Sequence, residues 1–359
     1  MKKSTLKIIF QWFSIIAILL TIIPILAVDY WWVRVFDFPH LQLTSLTFLA
    51  IILYLIKFNF KNYKDYILLT LLAICFTYQC KKIYPYTTFA DLKAGNSSAN
   101  ASNKLKVFTA NVLQKNTQYN DFIKLAETVN PDILLLTEVD KKWLNHIKSN
   151  AFISSYNYKL EYPLDNTYGM ALFSKHQLID PKVKFLVSDS IPSIHSKVKI
   201  ANLPLIQLYC VHPTPPMPQE NPNSTDRDAE LMEIALASMN RTHPTIVIGD
   251  FNDVAWSQTS KLFYRVSELL DIRKGRGLYN TFNAENWLMR WPLDHIFVSE
   301  EFRVKQLNRG KNISSDHFPY YTELTFEPLK ANQQKAIPAS KEDIKLAKKQ
   351  IEKEKAKAN

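Results

Sequence analysis

Three uncharged runs open the chain, and short apolar runs alternating with amphipathic stretches follow. Ile8 to Val28 is 21 residues without a charge, enough at about 1.5 Å per residue to cross a hydrocarbon core of roughly 30 Å. Phe38 to Ile56 adds a second run of 19 residues, and Tyr66 to Cys80 a third of 15 between Asp65 and Lys81. The third is the weakest span and needs snorkelling lysines or local thinning to cross. The pattern predicts a membrane anchor in residues 1–82 with about three transmembrane helices, 8–28, 38–56 and 66–80. Tyr30, Trp31 and Trp32 sit where an interfacial aromatic belt forms. No small-residue cleavage site follows the first run, so the anchor is expected to stay uncleaved.

Basic residues orient the anchor. Lys2, Lys3 and Lys7 precede the first run and Lys57, Lys61 and Lys64 follow the second, whereas the loop between them holds Arg34 against Asp29 and Asp37. This bias places the amino terminus in the cytoplasm. Three crossings then make the protein a multi-pass cell-membrane protein whose remainder is extracytoplasmic. If the third segment is only interfacial, the remainder stays in the cytoplasm.

Residues 83–104 read as a linker, because 91–104 (DLKAGNSSANASNK) are small and polar. From Leu105 the order is KVFTAN, a helix-like DFIKLAETVN, DILLLTE, GMALFSK, LIQLYCVH, a helix-like DRDAELMEIALASMN, TIVIGDFN and LDHIFVS. Strands rich in Val, Ile and Leu alternating with amphipathic helices predict an α/β domain over 105–328. Residues 329–359 form a Lys/Glu-rich tail, expected to be a solvated helix or disordered.

Charge changes the picture once it is divided. The net charge is +11, yet residues 83–330 carry 27 Lys/Arg against 26 Asp/Glu. A domain that neutralises a nucleic-acid backbone shows a clustered basic excess, so nucleic acid is disfavoured as a partner. Three cysteines are too few for a disulfide framework and show no zinc spacing.

Candidate chemistry is positional. Asn111 ends KVFTAN, Glu138 ends DILLLTE, His212 ends LIQLYCVH, and Asp250 with Asn252 ends TIVIGDFN. A rigid strand end can aim such side chains into one cleft. Glu138, Asp250, Asp294 and Asp316 would repel one another if they converged, which implies a hard cation with oxygen ligands, Mg2+ or Mn2+. An acidic residue beside a histidine fixes its tautomer, so Asp294 with His317 forms an expected acid/base or electrostatic pair.

TANVLQKN, PDILLLTEVD, YGMALFSK, VHPTPP, IVIGDFND, PLDHIFVS and SSDHFPY, in this order, resemble the endonuclease/exonuclease/phosphatase superfamily over roughly residues 105–326. The likeness is greatest to its bacterial members with an amino-terminal hydrophobic anchor. The resemblance implies a four-layered α/β/β/α sandwich of the DNase I-like kind, here preceded by transmembrane helices. It makes Glu138 the main metal ligand, Asn111 its partner at the metal or phosphate, and Asp316 the residue completing the metal site. Asp250 would orient or deprotonate the attacking water, and Asn252 would hold the phosphate. His212 would stabilise the transition state or protonate the leaving group, while Asp294 orients His317. Leu113 stands where many nuclease members carry an acidic residue, which counts against a second metal position and against nuclease identity.

Asn116, Tyr168, Ser174 and Arg227 are further residues that could contact substrate, with Arg227 the one assigned to binding, although it opens an amphipathic helix where a surface arginine is ordinary. His40, His146, His176, His195 and His243 match no motif and read as structural or surface residues. The expected activity is hydrolysis of a phosphodiester or phosphomonoester, on a lipid headgroup or small organic phosphate, by activated water. Membrane lipids are the expected surroundings, and nothing indicates an obligate protein partner. The alternatives are an extracytoplasmic endo- or exonuclease and a non-catalytic membrane-bound binding module.

Overall fold

The computed structural model describes residues 3–26 and 28–358. Lys2, Ala27 and Asn359, which belong to the basic amino terminus, the first run and the tail, lie outside the described residues, as does the side chain of Lys3.

Among the described residues the amino-terminal segment forms four α-helices: α1 (Lys3–Ile22, continued by a 3-10 turn to Leu26), α2 (Trp31–Arg34), α3 (His40–Ile56) and α4 (Tyr63–Ile83). Two segments, Thr5–Leu26 and Tyr63–Tyr86, are long and apolar enough to cross a membrane, and a third qualifies if the segments Trp31–Asp37 and His40–Ile56, bent by 71°, count as one span. The expected ranking of the second and third runs is therefore reversed. Pro39 stands at the N-cap of α3 and limits it to 17 residues, about 25 Å at ~1.5 Å per residue. The third run gains length because its charged flanks stay helical and are paired. Asp65 meets Lys7 at 2.5 Å at one end, and Lys82 meets Asp37 at 3.6 Å at the other. Between them, Gln79 of α4 donates to Thr21 of α1 at 2.6 Å and to Thr47 of α3 at 2.9 Å, a buried polar clasp of the kind that joins helices in an apolar medium.

After α4 the described residues form twelve strands and five longer helices. The first sheet contains β1 (Lys104–Asn111), β2 (Ile133–Thr137), β3 (Tyr158–Tyr162), β4 (Met170–Ser174), β11 (Phe302–Arg309) and β12 (Tyr320–Phe326), in the order β11-β12-β1-β2-β4-β3. The second contains β5 (Gln177–Lys184), β6 (Ser193–Lys199), β7 (Ile206–Val211), β8 (Thr245–Asp250), β9 (Leu270–Asp271) and β10 (Asp294–Val298), in the order β5-β6-β7-β8-β10-β9. Both are mixed, with one parallel pair each, β1 with β2 and β7 with β8.

Burial on both faces explains why these strands read as continuous apolar runs. In β2, Ile133 and Leu135 enter the core between the sheets while Leu134 and Leu136 pack outward, and in β8 Ile246 and Ile248 point inward while Val247 points outward. Helices α5 (Tyr119–Val129) and α6 (Lys141–Lys148) cover the first sheet's outer face, and α7 (Thr225–Met239), α8 (Gln258–Ser267) and α9 (Lys341–Ala358) the second's. The expected four-layered sandwich is the observed fold.

Two expectations at its margins are corrected. The segment expected to be a flexible linker is docked: Gly95 accepts from Val304 N–H at 2.9 Å, Ser97 donates to Val304 at 2.9 Å, and Ser98 N–H reaches Glu327 at 2.9 Å. Strand β11 is the edge of its sheet, and residues 95–98 occupy backbone groups that would otherwise be open. The Lys/Glu tail is likewise no free helix. Ala347 and Ile351, one turn apart on α9, are buried against α7 and α8, and Arg265 of α8 pairs with Asp343 at 2.8 Å.

The loop between α1 and α3 rests on the sandwich. Trp31 N–H donates to the Pro222 carbonyl at 2.8 Å, Ser224 N–H to Asp29 at 2.7 Å, and Trp256 Nε1 to the Asp37 carbonyl at 2.7 Å. The loop between α3 and α4 instead turns toward the start of α1, where Asp65 holds Lys7.

Candidate active site

Strand direction collects the polar residues at one edge. In each parallel pair both strands end on the same side, which places Asn111 at the end of β1, Glu138 just past β2, His212 just past β7 and Asp250 at the end of β8. Strand β10 runs antiparallel to β8, so it begins where β8 ends, and Asp294 lies in register with Asp250. Strand β12 runs antiparallel to β1, which puts the preceding Asp316 and His317 at the same edge. Gly249 (φ +144°) makes the approach of β7 possible, since a Cβ there would lie 2.0 Å from the Val211 carbonyl oxygen. Two other residues just past the strands, Glu138 and Asn252, hold left-handed backbone at φ 60° and 50°. For a glutamate this costs about 1–2 kcal/mol, and the strain aims its carboxylate into the cleft.

The sheets meet through side chains. Asn111 Nδ2 donates to Glu138 at 2.8 Å and to Asp250 at 3.2 Å, across the gap between the sheets. Asp250 also accepts from Asn252 N–H at 2.9 Å and lies 3.8 Å from His212 Nε2 and 3.5 Å from His317 Nε2. His317 Nδ1 is 2.8 Å from Asp294. All five of Asn111, His212, Asp250, Asp294 and His317 are buried. Burial opposes ionisation of Asp250, but His317 and His212 outweigh it and hold its carboxyl below the ordinary range. Burial also opposes the charge on His317, and Asp250 with Asp294 overcome it, lifting the imidazole to about 10. The centre is an imidazolium clasped by two carboxylates, with a second imidazole beside one of them.

Asp250, Asp294 and His317 can offer ligand atoms within 4.8 Å of one another, a group that could hold a metal ion. Their other contacts favour a different use: both ring nitrogens of His317 already face carboxylates, and Asp294 is sealed from solvent. Glu138 and Asp316 are half-buried rather than sealed. Burial raises the Glu138 carboxyl above its ordinary value, with a smaller push from Asp316, against the lowering influence of His212, the Asn111 hydrogen bond and His317. These oxygens suit a hard divalent cation.

Asn111 Oδ1 accepts from Leu113 N–H at 3.0 Å while its amide nitrogen faces the carboxylates, which leaves one lone pair of that oxygen unused. Three acceptors and donors thus fix its orientation as a bridge. Arg227 is not free to bind substrate. It is buried at 1% exposure, pairs with Asp228 at 2.8 Å and Asp253 at 3.3 Å, and donates to the Asn252 carbonyl at 3.0 Å. Asp228 in turn lies 3.6 Å from Arg34 of the anchor loop. Arg227 therefore props the Asn252 turn from behind. Arg227→Met should leave Asp253 without its ion-pair partner and Asp228 with Arg34 alone, costing about 3–5 kcal/mol, read as a lower denaturation midpoint. A raised KM at unchanged stability would restore the substrate-contact role.

Asn252 spends one amide hydrogen on the Pro213 carbonyl at 2.9 Å, which ties its turn to the His212 loop. Tyr168 lies against His212, with ring centroids 5.4 Å apart, and hydrogen-bonds Glu220 at 2.9 Å. Asn116 donates to the Ile313 carbonyl at 3.0 Å, and Ser174 to the His176 carbonyl at 2.8 Å, so both brace backbone. Of the histidines without a motif, His195 meets Ser193 at 3.0 Å and His146 stacks on Tyr119.

Other contributors are invisible to residue-type reasoning. Ser315 Oγ donates to the Asn111 carbonyl at 2.8 Å and accepts from His317 N–H at 3.1 Å, joining the two halves of the site. Thr281 Oγ accepts from Asp294 N–H at 3.1 Å. His295 lies between Arg273 at 2.6 Å and the Asp253 carbonyl at 2.9 Å. Adjacency to SSDH and GDFN was a signal for Ser315 and Asp253; Thr281 had none, because only the folded loop brings it near.

The arrangement matches known proteins. The model of the endonuclease/exonuclease/phosphatase family matches residues 100–317. Among solved structures, a functionally unknown conserved protein from Enterococcus faecalis V583 is 18% identical, with 62% of this chain and 100% of that one covered and a TM-score of 0.51. The human Nocturnin catalytic domain with bound sulfate is 16% identical, covering 67% and 99%, with a TM-score of 0.50. An endonuclease/exonuclease/phosphatase from Beutenbergia cavernae DSM 12333 is 14% identical, covering 63% and 72%, also at 0.50. A search of curated proteins finds no match. At these identities the neighbours attest the fold, and the family model, spanning well over half the chain, attests the kinship: this protein is a member of the endonuclease/exonuclease/phosphatase family.

Proposed function

We propose that the protein is a membrane-anchored phosphoesterase that hydrolyses a phosphodiester or phosphomonoester of a lipid headgroup or small organic phosphate, with water as nucleophile. Family members are generally phosphoester hydrolases and typically use divalent metals. The observation that carries the reading is the polar series Asp294, His317, Asp250, Asn111 and Glu138, three hydrogen bonds and one 3.5 Å ion pair, which joins an acid/base group to a half-buried carboxylate across two sheets.

In this reading Asp250, kept ionised by its neighbours, accepts hydrogen bonds only and orients the attacking water. The His317 imidazolium, held by Asp294, faces the negative charge that develops on phosphoryl oxygens. His212, whose Nε2 lies 3.8 Å from Asp250, serves the leaving oxygen. Asn252 holds a phosphate oxygen through its remaining amide hydrogen. Glu138 and Asp316 would hold Mg2+ or Mn2+, which when bound supplies Lewis-acid stabilisation of that charge.

We also read three crossings, with the catalytic domain on the far side from the amino terminus. Support comes from the two anchor loops: the one after α1 docks on the sandwich and the one after α3 turns to the start of α1, as an odd number of spans requires. A reporter fused after Lys330 should be active only outside the cytoplasm.

Purified full chain with Mg2+ or Mn2+ should hydrolyse bis(4-nitrophenyl) phosphate or 4-nitrophenyl phosphate. No turnover of either, in wild type and His317→Ala alike, ends the enzymatic reading and favours a binding module. Plasmid nicking that collapses with rising salt would favour a nuclease, against which stands the neutral charge of residues 83–330.

A further inference from the structure

The loop from Asn283 to Pro292 carries three consecutive exposed apolar side chains. Trp287 is 80% exposed, Leu288 53% and Met289 41%. Single exposed apolar residues are ordinary, whereas a contiguous group at a loop tip marks an interaction surface.

Both ends of the loop are held. Its base belongs to the catalytic centre: Phe282 lies 5.0 Å from the His317 ring, and Ala284 N–H donates to the Asp316 carbonyl at 2.6 Å. Its tip belongs to the anchor: Gln42 Nε2 donates to the Leu288 carbonyl at 2.5 Å, and Phe38 meets Trp291 edge to face at 5.5 Å. Gln42 lies in the first turn of α3, so the tip stands within about 5 Å of that helix's end along its axis. The same ends of the helices carry exposed Trp31 and Trp32 before α3 and exposed Tyr84 and Phe89 after α4, the residue types that line a membrane interface. Arg290 follows the tip, its guanidinium 4.9 Å from the Phe318 ring next to His317, a cation at the level where lipid phosphates lie.

We propose that Trp287, Leu288 and Met289 form a wedge that enters the headgroup and acyl boundary of the bilayer holding the anchor. The wedge seats the His317 side of the cleft against that leaflet, and the phosphoester hydrolysed is carried by the headgroup of a lipid in the same leaflet. This rests on the phosphoesterase reading above. The anchor already confines the domain to the membrane, so the wedge adds orientation rather than recruitment, fixing which way the cleft faces.

The test uses the full chain in nanodiscs of phosphatidylethanolamine and phosphatidylglycerol. A benzoylphenylalanine placed at position 287 should photocrosslink to lipid. Placed at 329, where Leu329 is exposed beyond the far end of β12, it should not. Leu288→Asp combined with Met289→Asp should slow headgroup hydrolysis at least tenfold while leaving bis(4-nitrophenyl) phosphate turnover unchanged. Absence of a lipid crosslink at 287, or equal loss of both activities, overturns the wedge. Turnover of the soluble diester without release of either headgroup overturns the lipid substrate. A wild type inactive on every ester would instead remove the phosphoesterase reading, with the crosslink still deciding insertion.

Discussion

Asp250→Asn is expected to reduce kcat by roughly 10³-fold, within the range for loss of a positioned acid/base group. The carboxylate is fully buried and surrounded by donors: Asn111, the Asn252 N–H and two imidazoles. An amide of the same shape must turn its NH2 toward one of them. Whichever way it sits, the water loses its acceptor and one donor loses its partner. The same change removes the largest influence raising His317, so in cation-free protein the imidazole, which titrates near pH 10 in the wild type, should titrate at lower pH in the variant. Steady-state kinetics with circular dichroism to verify folding, and NMR of the ring nitrogens, check both halves. Activity within tenfold of wild type would remove Asp250 from the chemistry.

Glu138→Gln should act through the cation. It deletes one of the two half-buried carboxylates while keeping a side chain able to meet Asn111, so the fold should hold. Turnover at millimolar Mg2+ or Mn2+ should fall by roughly 10³-fold, the several kcal/mol that Lewis-acid stabilisation supplies, with partial recovery as the cation concentration rises. Chelation should abolish wild-type activity and added cation restore it. Calorimetry of Mn2+ binding gives a readout independent of turnover: weaker binding is expected for Glu138→Gln and also for Asp316→Asn. If Asp294→Asn abolished binding while those two left it unchanged, the buried group of Asp250, Asp294 and His317 would be the metal site instead.

Several site residues were legible because of where they sit along the chain. A polar residue directly after four or five apolar ones is a strand end, and strand ends in a layered sheet share an edge. Asn111, Glu138, His212 and Asp250 could be named without coordinates for this reason. Arg227 could not be judged in the same way. Its charge and its place at the start of a helix suggest an exposed group, and only the arrival of Asp253 from the next loop, with Arg34 and Asp228 behind, makes it a buried brace. Asn111 is a milder case: its presence was legible, but which amide atom faces the carboxylates depends on the turn at Leu113.

The margins of the domain show the same limit. Residues 91–104 are polar and small, which is a statement about composition; their order comes from the open edge of β11, a partner more than 200 residues away in the chain. The tail reads as solvated because its Lys and Glu outnumber its apolar positions, and two side chains one turn apart, Ala347 and Ile351, suffice to dock it on a helix already in place.

By itself, the order of residues determined the apolar amino-terminal helices, the α/β alternation, the family and the residue types at the strand ends, because each depends on local hydrophobic period or on short motifs. Tertiary structure alone decided which charges are buried against one another, which amide atom faces the carboxylates, and that the Trp287 loop lies between His317 and the start of α3. Those facts depend on contacts between segments distant in the chain, where packing and desolvation, not local pattern, set the outcome.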